Sequence, residues 1–120
     1  MKIVAMGLAA AMLMGCGADG PDAAMAKKRA AQFQKHLDDV RHYLKDGESA
    51  RFEKLFLSEE QDGTTALCGE VNAKNAFGAY VGFGRFVGVA GSALLEQATG
   101  KAGMDAVWKA ACSNKVFAPE

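Results

Sequence analysis

The sequence predicts an α+β domain: a three-stranded antiparallel meander flanked by an N-terminal and a C-terminal helix, in the order α-β-β-β-α, closed by one disulfide. Three observations carry this. Apolar residues recur at helical spacing between positions 26 and 44 and again between 104 and 112. Between those stretches lie alternating, turn-bounded segments of strand character. Two cysteines, Cys68 and Cys112, fall in a strand segment and in the late helix.

The chain has 120 residues, enough for one domain. Its 14 Lys and Arg balance 14 Asp and Glu, so it has no basic footprint for nucleic acid. Half the residues are hydrophobic, which excludes a disordered chain. There are 3 cysteines, an odd number that needs an account.

Residues 1–15 read as a signal peptide. Lys2 and the amino terminus supply positive charge, and Ile3 to Met14 is an uncharged, largely apolar run. It is shorter than the about 20 apolar residues a bilayer span needs. The run ends in Leu13-Met14-Gly15-Cys16, which resembles the lipobox of bacterial lipoproteins. The resemblance implies diacylglycerol and acyl chains, palmitate among them, on Cys16. Two or three such chains anchor a protein stably. It also implies a cell-envelope location, with the membrane as a partner through Cys16. Gly17, where an Asp would favour the inner membrane, points to the outer membrane facing the periplasm. Residues 16–24 then read as the lipidated Cys and a tether, and residues 25–120 as the domain. Loss of residues 1–15 removes Lys2 and leaves 13 basic side chains against 14 acidic.

Ala26, Ala30, Phe33, Leu37, Val40 and Leu44 form one face of a helix over about 23–45, which packs on its own sheet rather than on a partner helix. Asp46-Gly47 ends it, with Gly47 suited to a left-handed C-terminal position. Glu48 to Phe52 is a connector with room for one helical turn. Lys54–Ser58 is a first strand and Glu59–Gly63 a polar turn. Thr64–Val71 is a second strand, with Leu67, Gly69 and Val71 on one face and Cys68 and Glu70 on the other.

Asn72–Ala76 is a turn, and residues 77–89 are the third strand. Odd positions there are Phe, Ala, Val, Phe, Arg, Val and Val, while even positions are mostly Gly. A glycine-zipper membrane helix over 76–95 is the competing reading. Four interior glycines would cost such a helix about 0.8–1 kcal/mol each. Arg85 would add about 2.5–3.5 kcal/mol at mid-bilayer. A strand accepts both when its Gly face lies under a helix. The Gly spacing also departs from G-x-G-x-x-G. Ser92 caps a helix that Thr99-Gly100 interrupts. Met104, Val107, Trp108, Ala111 and Cys112 then share a helical face. The tail, with Val116 and Phe117, tucks onto the domain edge.

With Cys16 assigned to lipid, Cys68 and Cys112 remain. In an oxidising compartment such a pair bonds. A redox pair would favour C-x-x-C, which is absent, and a metal would need ligands beyond His36 and His42, which do not share a helix face. No metal or cofactor is expected.

No G-x-S-x-G or H-E-x-x-H occurs. Glu70, inside a strand, is placed to pair with Arg85 or Lys74. The most unusual surface is the turn of Asn72, Lys74 and Asn75 with Tyr80, Arg85 and Phe77 nearby, whose amides, cations and aromatics suit ligand or protein contact.

LKDGESARFEKL, CGEVNAKNAFGAYVGFGRFV and a late WKAAC together resemble a group of small exported bacterial and phage-encoded proteins of unassigned activity. The shared pattern covers about residues 44 to 112 and runs through Asp46, Ser49, Ala50, Phe52, Cys68, Gly69, Val71 to Asn75, Phe77, Gly78, Tyr80, Gly82, Phe83 and Cys112. Gly47 stands where the group has Pro, and Ala79 where it has a second Gly. The resemblance implies a fold and a surface, not an activity.

The expectation is therefore a lipid-anchored envelope protein, not an enzyme, that binds or inhibits a protein or cell-wall partner and no nucleic acid. The alternatives are a small periplasmic enzyme or ligand carrier using Glu70, Lys74 and Tyr80, and the glycine-zipper membrane protein.

Overall fold

A computed structural model of the chain describes residues 20–119. The signal peptide, Cys16 and the first residues of the tether lie outside them. Helix α1 (Pro21–Tyr43) is followed by a single 3-10 turn (Gly47–Ser49), β1 (Arg51–Glu59), β2 (Thr65–Asn72), β3 (Gly84–Val89), β4 (Ser92–Leu95), α2 (Glu96–Ala111) and β5 (Lys115–Phe117). The strands form one antiparallel sheet in the order β4-β3-β2-β1-β5. The α+β class, the antiparallel pairing and the flanking helices are as expected. The sheet has five strands rather than three.

The helices cover opposite faces. Parity along β2 separates the two cores: Leu67 and Val71 pack towards α1, with Phe33, Val40, Leu57 and Phe86. Ala66 and Cys68 pack towards α2, with Val87 and Met104. Cys68 and Cys112 are bonded, with Cα atoms 6.1 Å apart, joining the central strand to the residue just after α2.

Several elements differ from expectation. Pro21 at the first turn starts α1 inside the expected tether, so residues 21–24 are helix. Pro21–Lys28 are all exposed, and the helix meets the core only from Phe33 onward. Its end is not a left-handed glycine: Leu44 turns the chain out at φ −74° and ψ 151°. Gly47 is needed instead because any Cβ there would run into the Arg41 carbonyl.

β1 begins at Arg51 because a bulge between Glu53 and Phe56, with Lys54 at φ 58°, inserts one residue opposite β2. That insertion lets Phe52 and Leu57, of opposite parity, share the α1 face. Residues 92–95 pair with β3 instead of starting a helix. Ala90 and Gly91, at φ 46° and 82°, make the two-residue turn, and Ser92 Oγ donates to the Val89 carbonyl rather than capping. Gly100 does break α2, at φ 80° and ψ 165°. Val116 and Phe117 reach the edge as part of β5, with the Phe117 ring 5.6 Å from that of Phe33.

Only Gly84–Val89 of the expected 77–89 strand is a strand, and no helix occupies 76–95. The glycine-zipper reading is therefore set aside. No described helix is long and apolar enough to cross a membrane.

His36 holds α1 to the start of β2, its Nε2 lying 2.9 Å from Thr65 Oγ1. Burial lowers its pKa from 6.5; Asp39 opposes the shift and Lys35 adds to it. A group whose pKa falls on folding stabilises the fold above its unfolded value and loses that contribution as pH drops. Stability should therefore decline on acidification below pH 6.5. His36→Gln should flatten the decline, read as urea midpoints at about pH 7.5 and 5.5, either side of an unperturbed His. An equal midpoint difference in both proteins would assign the acid sensitivity elsewhere.

Candidate functional site

β2 and β3 are joined by an eleven-residue excursion, residues 73–83. Two asparagines shape it. Asn72 Oδ1 accepts from the Gly82 amide at 3.0 Å and closes the neck. Asn75 Oδ1 accepts from the Phe77 and Ala79 amides at 2.9 and 3.2 Å. The Asn75 amide donates to the Ala79 carbonyl, and Gly78 donates back to the Asn75 carbonyl. Lys74 and Tyr80 form a bridge across the base. Gly78 and Gly82 take φ of 80° and 101°, which a side chain would strain.

This frame leaves apolar side chains in water. Phe77 at the tip is 93% exposed, and Val81 and Phe83 are exposed beside it. Tyr80 is anchored, its hydroxyl donating to the Ser49 carbonyl at 3.0 Å. The Arg51 guanidinium lies 4.5 Å from its ring centroid and the Lys74 ammonium 5.6 Å. Ser49 Oγ also accepts from the Lys74 amide at 3.0 Å. The loop is thus pinned to the segment that follows α1.

Of the five residues expected on this surface, Asn72, Lys74, Asn75 and Tyr80 converge. The two amides are engaged by loop backbone, so Lys74 and Tyr80 present the chemistry. Arg85 is elsewhere. Its amide and guanidinium donate to Glu96, and the guanidinium also donates to Asp105, at 2.8 Å for the shortest contact with each. It packs 5.7 Å from the Trp108 ring centroid and clamps α2 to β3. Hydrogen bonds from Arg85 hold the Glu96 carboxyl down to about 2, and those to Glu96 and then Asp105 raise the pKa of Arg85 further.

Glu70 also departs from expectation. It lies opposite Arg85 in register, but its carboxylate meets Lys54 at 3.7 Å. Its neighbourhood is a separate depression bounded by Phe56 and Trp108. Glu70, Lys74 and Tyr80 therefore do not share one cavity. Among the described residues no cluster of three or more His, Cys, Asp or Glu could hold a metal.

Arg51 is the site residue that the sequence reading missed. The β1–β2 register places it opposite Asn72. The available signal was the Ser49-Ala50-Arg51-Phe52 segment, which the motif resemblance groups with the loop. No protein-family model matches the chain, and no match is found among curated proteins or solved structures.

Proposed function

We propose that the chain is a lipid-anchored cell-envelope protein, held by acylated Cys16 at the outer membrane, that binds a protein or cell-wall partner without catalysis. The observation that carries this is the 73–83 loop, a frame locked by its own side chains that keeps Phe77, Val81 and Phe83 in water. Holding apolar side chains exposed on a preorganised frame suits recognition, since little order is lost on binding. Aromatic and cationic anchors such as Tyr80 and Arg51 suit a binding centre.

The position of the loop supports the same reading. α1 has 23 residues, a rod of about 35 Å. Its N-terminal end carries the link to Cys16, and the loop packs near its C-terminal end through Ser49. An anchor at Cys16 would hold the loop well away from the bilayer surface. The lipoprotein-like Cys16 segment and the exported-protein motif support the location.

Photocrosslinking in intact envelopes tests the proposal. A crosslinker at Phe77 should give a discrete adduct that one at Lys101, on α2, does not give. Lys74→Ala and Tyr80→Ala should weaken the Phe77 adduct severalfold. Cys16→Ser should release the protein from the membrane fraction. Identical adducts from both positions would remove the loop as the recognition surface.

A further inference from the structure

A second feature lies beside the loop. Between the end of α1, the loop base and the β4–α2 junction runs an open groove of about 420 Å³. That volume is within the ~300–1,000 Å³ typical of small-ligand sites. Leu44, Val71, Ala73, Val81 and Leu95 give it an apolar lining. Leu44, Ala73 and Leu95 are half-buried, and all three pack on the α1-face core.

The charges around it do not cancel. Arg85 and Glu96 neutralise each other through paired contacts. Lys45 and Lys74 also line the groove. Among the described residues, no carboxylate approaches either within ion-pair distance. The groove therefore combines an apolar lining with two uncompensated positive charges. A neutral hydrophobe would leave the ammonium groups without an anion, and a small hydrophilic anion would leave the apolar lining unused.

We propose that this groove binds a single-chain anionic amphiphile, its acyl chain against Leu44, Val71, Val81 and Leu95 and its carboxylate or phosphate between Lys45 and Lys74. The groove is at the opposite end of α1 from the link to Cys16, so the chain's own anchor is not the expected occupant. The groove shares Lys74 and Val81 with the loop, and its occupant is argued from its own lining and charge.

The test uses purified full-length chain carrying Cys16→Ser, so that no attached lipid competes. Calorimetric titration with laurate below its micellar concentration should show saturable one-to-one binding. Decanoate, two methylenes shorter, should bind about fifteenfold more weakly, at about fourfold per methylene. Combined Lys45→Gln and Lys74→Gln should weaken laurate at least tenfold and leave the neutral dodecyl maltoside unchanged. Val81→Asp, at an exposed position, should weaken laurate and the maltoside alike. Circular dichroism checks that the variants stay folded. Lauroyl lysophosphatidylglycerol separates the sources: tighter binding than laurate identifies a membrane lipid, and weaker binding a free fatty acid, both within the proposal. Absence of saturable binding by either anion would overturn it, as would laurate affinity unmoved by both the lysine pair and Val81→Asp.

Discussion

Replacing Cys68 and Cys112 together by Ala should lower the unfolding free energy by about 4 kcal/mol, the chain-entropy value for a loop of this length. The two residues are 44 apart in sequence, and the bond joins the central strand to the residue after α2. The unfolded chain would regain the freedom that this closure removes. The folded state loses as well. Cys68 is fully buried and Cys112 nearly so, in a cluster whose other buried members are Ala66, Val87 and Met104. So small a core has little with which to fill the gap. Domains of this size are stable by about 5–15 kcal/mol, so the loss is a large fraction. Urea denaturation reads it directly: with a slope of about 1–3 kcal/mol/M, the midpoint should fall by more than about 1 M. Reducing the native protein should reproduce most of the drop. A midpoint within about 0.3 M of the native value would mean that packing on this face, not the crosslink, holds α2, given that slope.

This pairing was legible in the sequence because it followed from counting, and counting is independent of long-range geometry. The face assignment of β2 was legible for a similar reason: the side-chain period of two is local. The excursion at 73–83 was not. Its residues alternate as a strand would, yet Asn75 bonds the loop's own amides, and Asn72 captures Gly82 from ten residues away. Side-chain bonds to backbone compete with the ladder, and apolar alternation does not register them. The bulge at Lys54 escaped notice because one inserted residue inverts the parity on which strand reading relies. β4 is four residues of Ser, Ala and Leu, and its conformation is set by pairing with β3 rather than by propensity.

The candidate site divides along the same line. Lys74 and Tyr80 are close in sequence and were found together. Arg51 comes from another strand and is delivered by register. The expected pairing of Arg85 with Glu70 did not form, although Glu70 is its cross-strand neighbour, as parity suggests. Glu96 nevertheless captures it, accepting from its amide and its guanidinium at once. One carboxylate that satisfies both a main-chain donor and a planar cation outcompetes a single cross-strand contact.

Truncating Phe86 to Ala should destabilise the domain by about 3–5 kcal/mol, towards the upper end of that range. The reason lies in how β2 and β3 share volume on the α1 face. Their register pairs Leu67 with Gly88, Gly69 with Phe86, and Val71 with Gly84. Each pair sets one large side chain against a glycine. Two of these glycines have close neighbours: a Cβ on Gly88 would lie 2.6 Å from Val40 Cγ2, and one on Gly69 would lie 2.7 Å from Leu55 Cδ2. Val40 and Leu55 thus close over the two glycines, and Phe86 packs in the same cluster beside them. Phe86 is fully buried and meets the Phe52 ring edge-on at 5.6 Å between centroids. Its partner across the ladder, Gly69, has no side chain to move into the vacancy, and the cost of truncation rises with the cavity that persists. Phe83, three residues earlier, is 44% exposed and outside both cores. Phe83→Ala should change stability by no more than about 0.5 kcal/mol, as for a surface site. Urea midpoints of the two variants decide the matter. A loss at Phe86 no larger than that at Phe83 would mean that the α1 face collapses around the missing ring, and would refute a persistent cavity there.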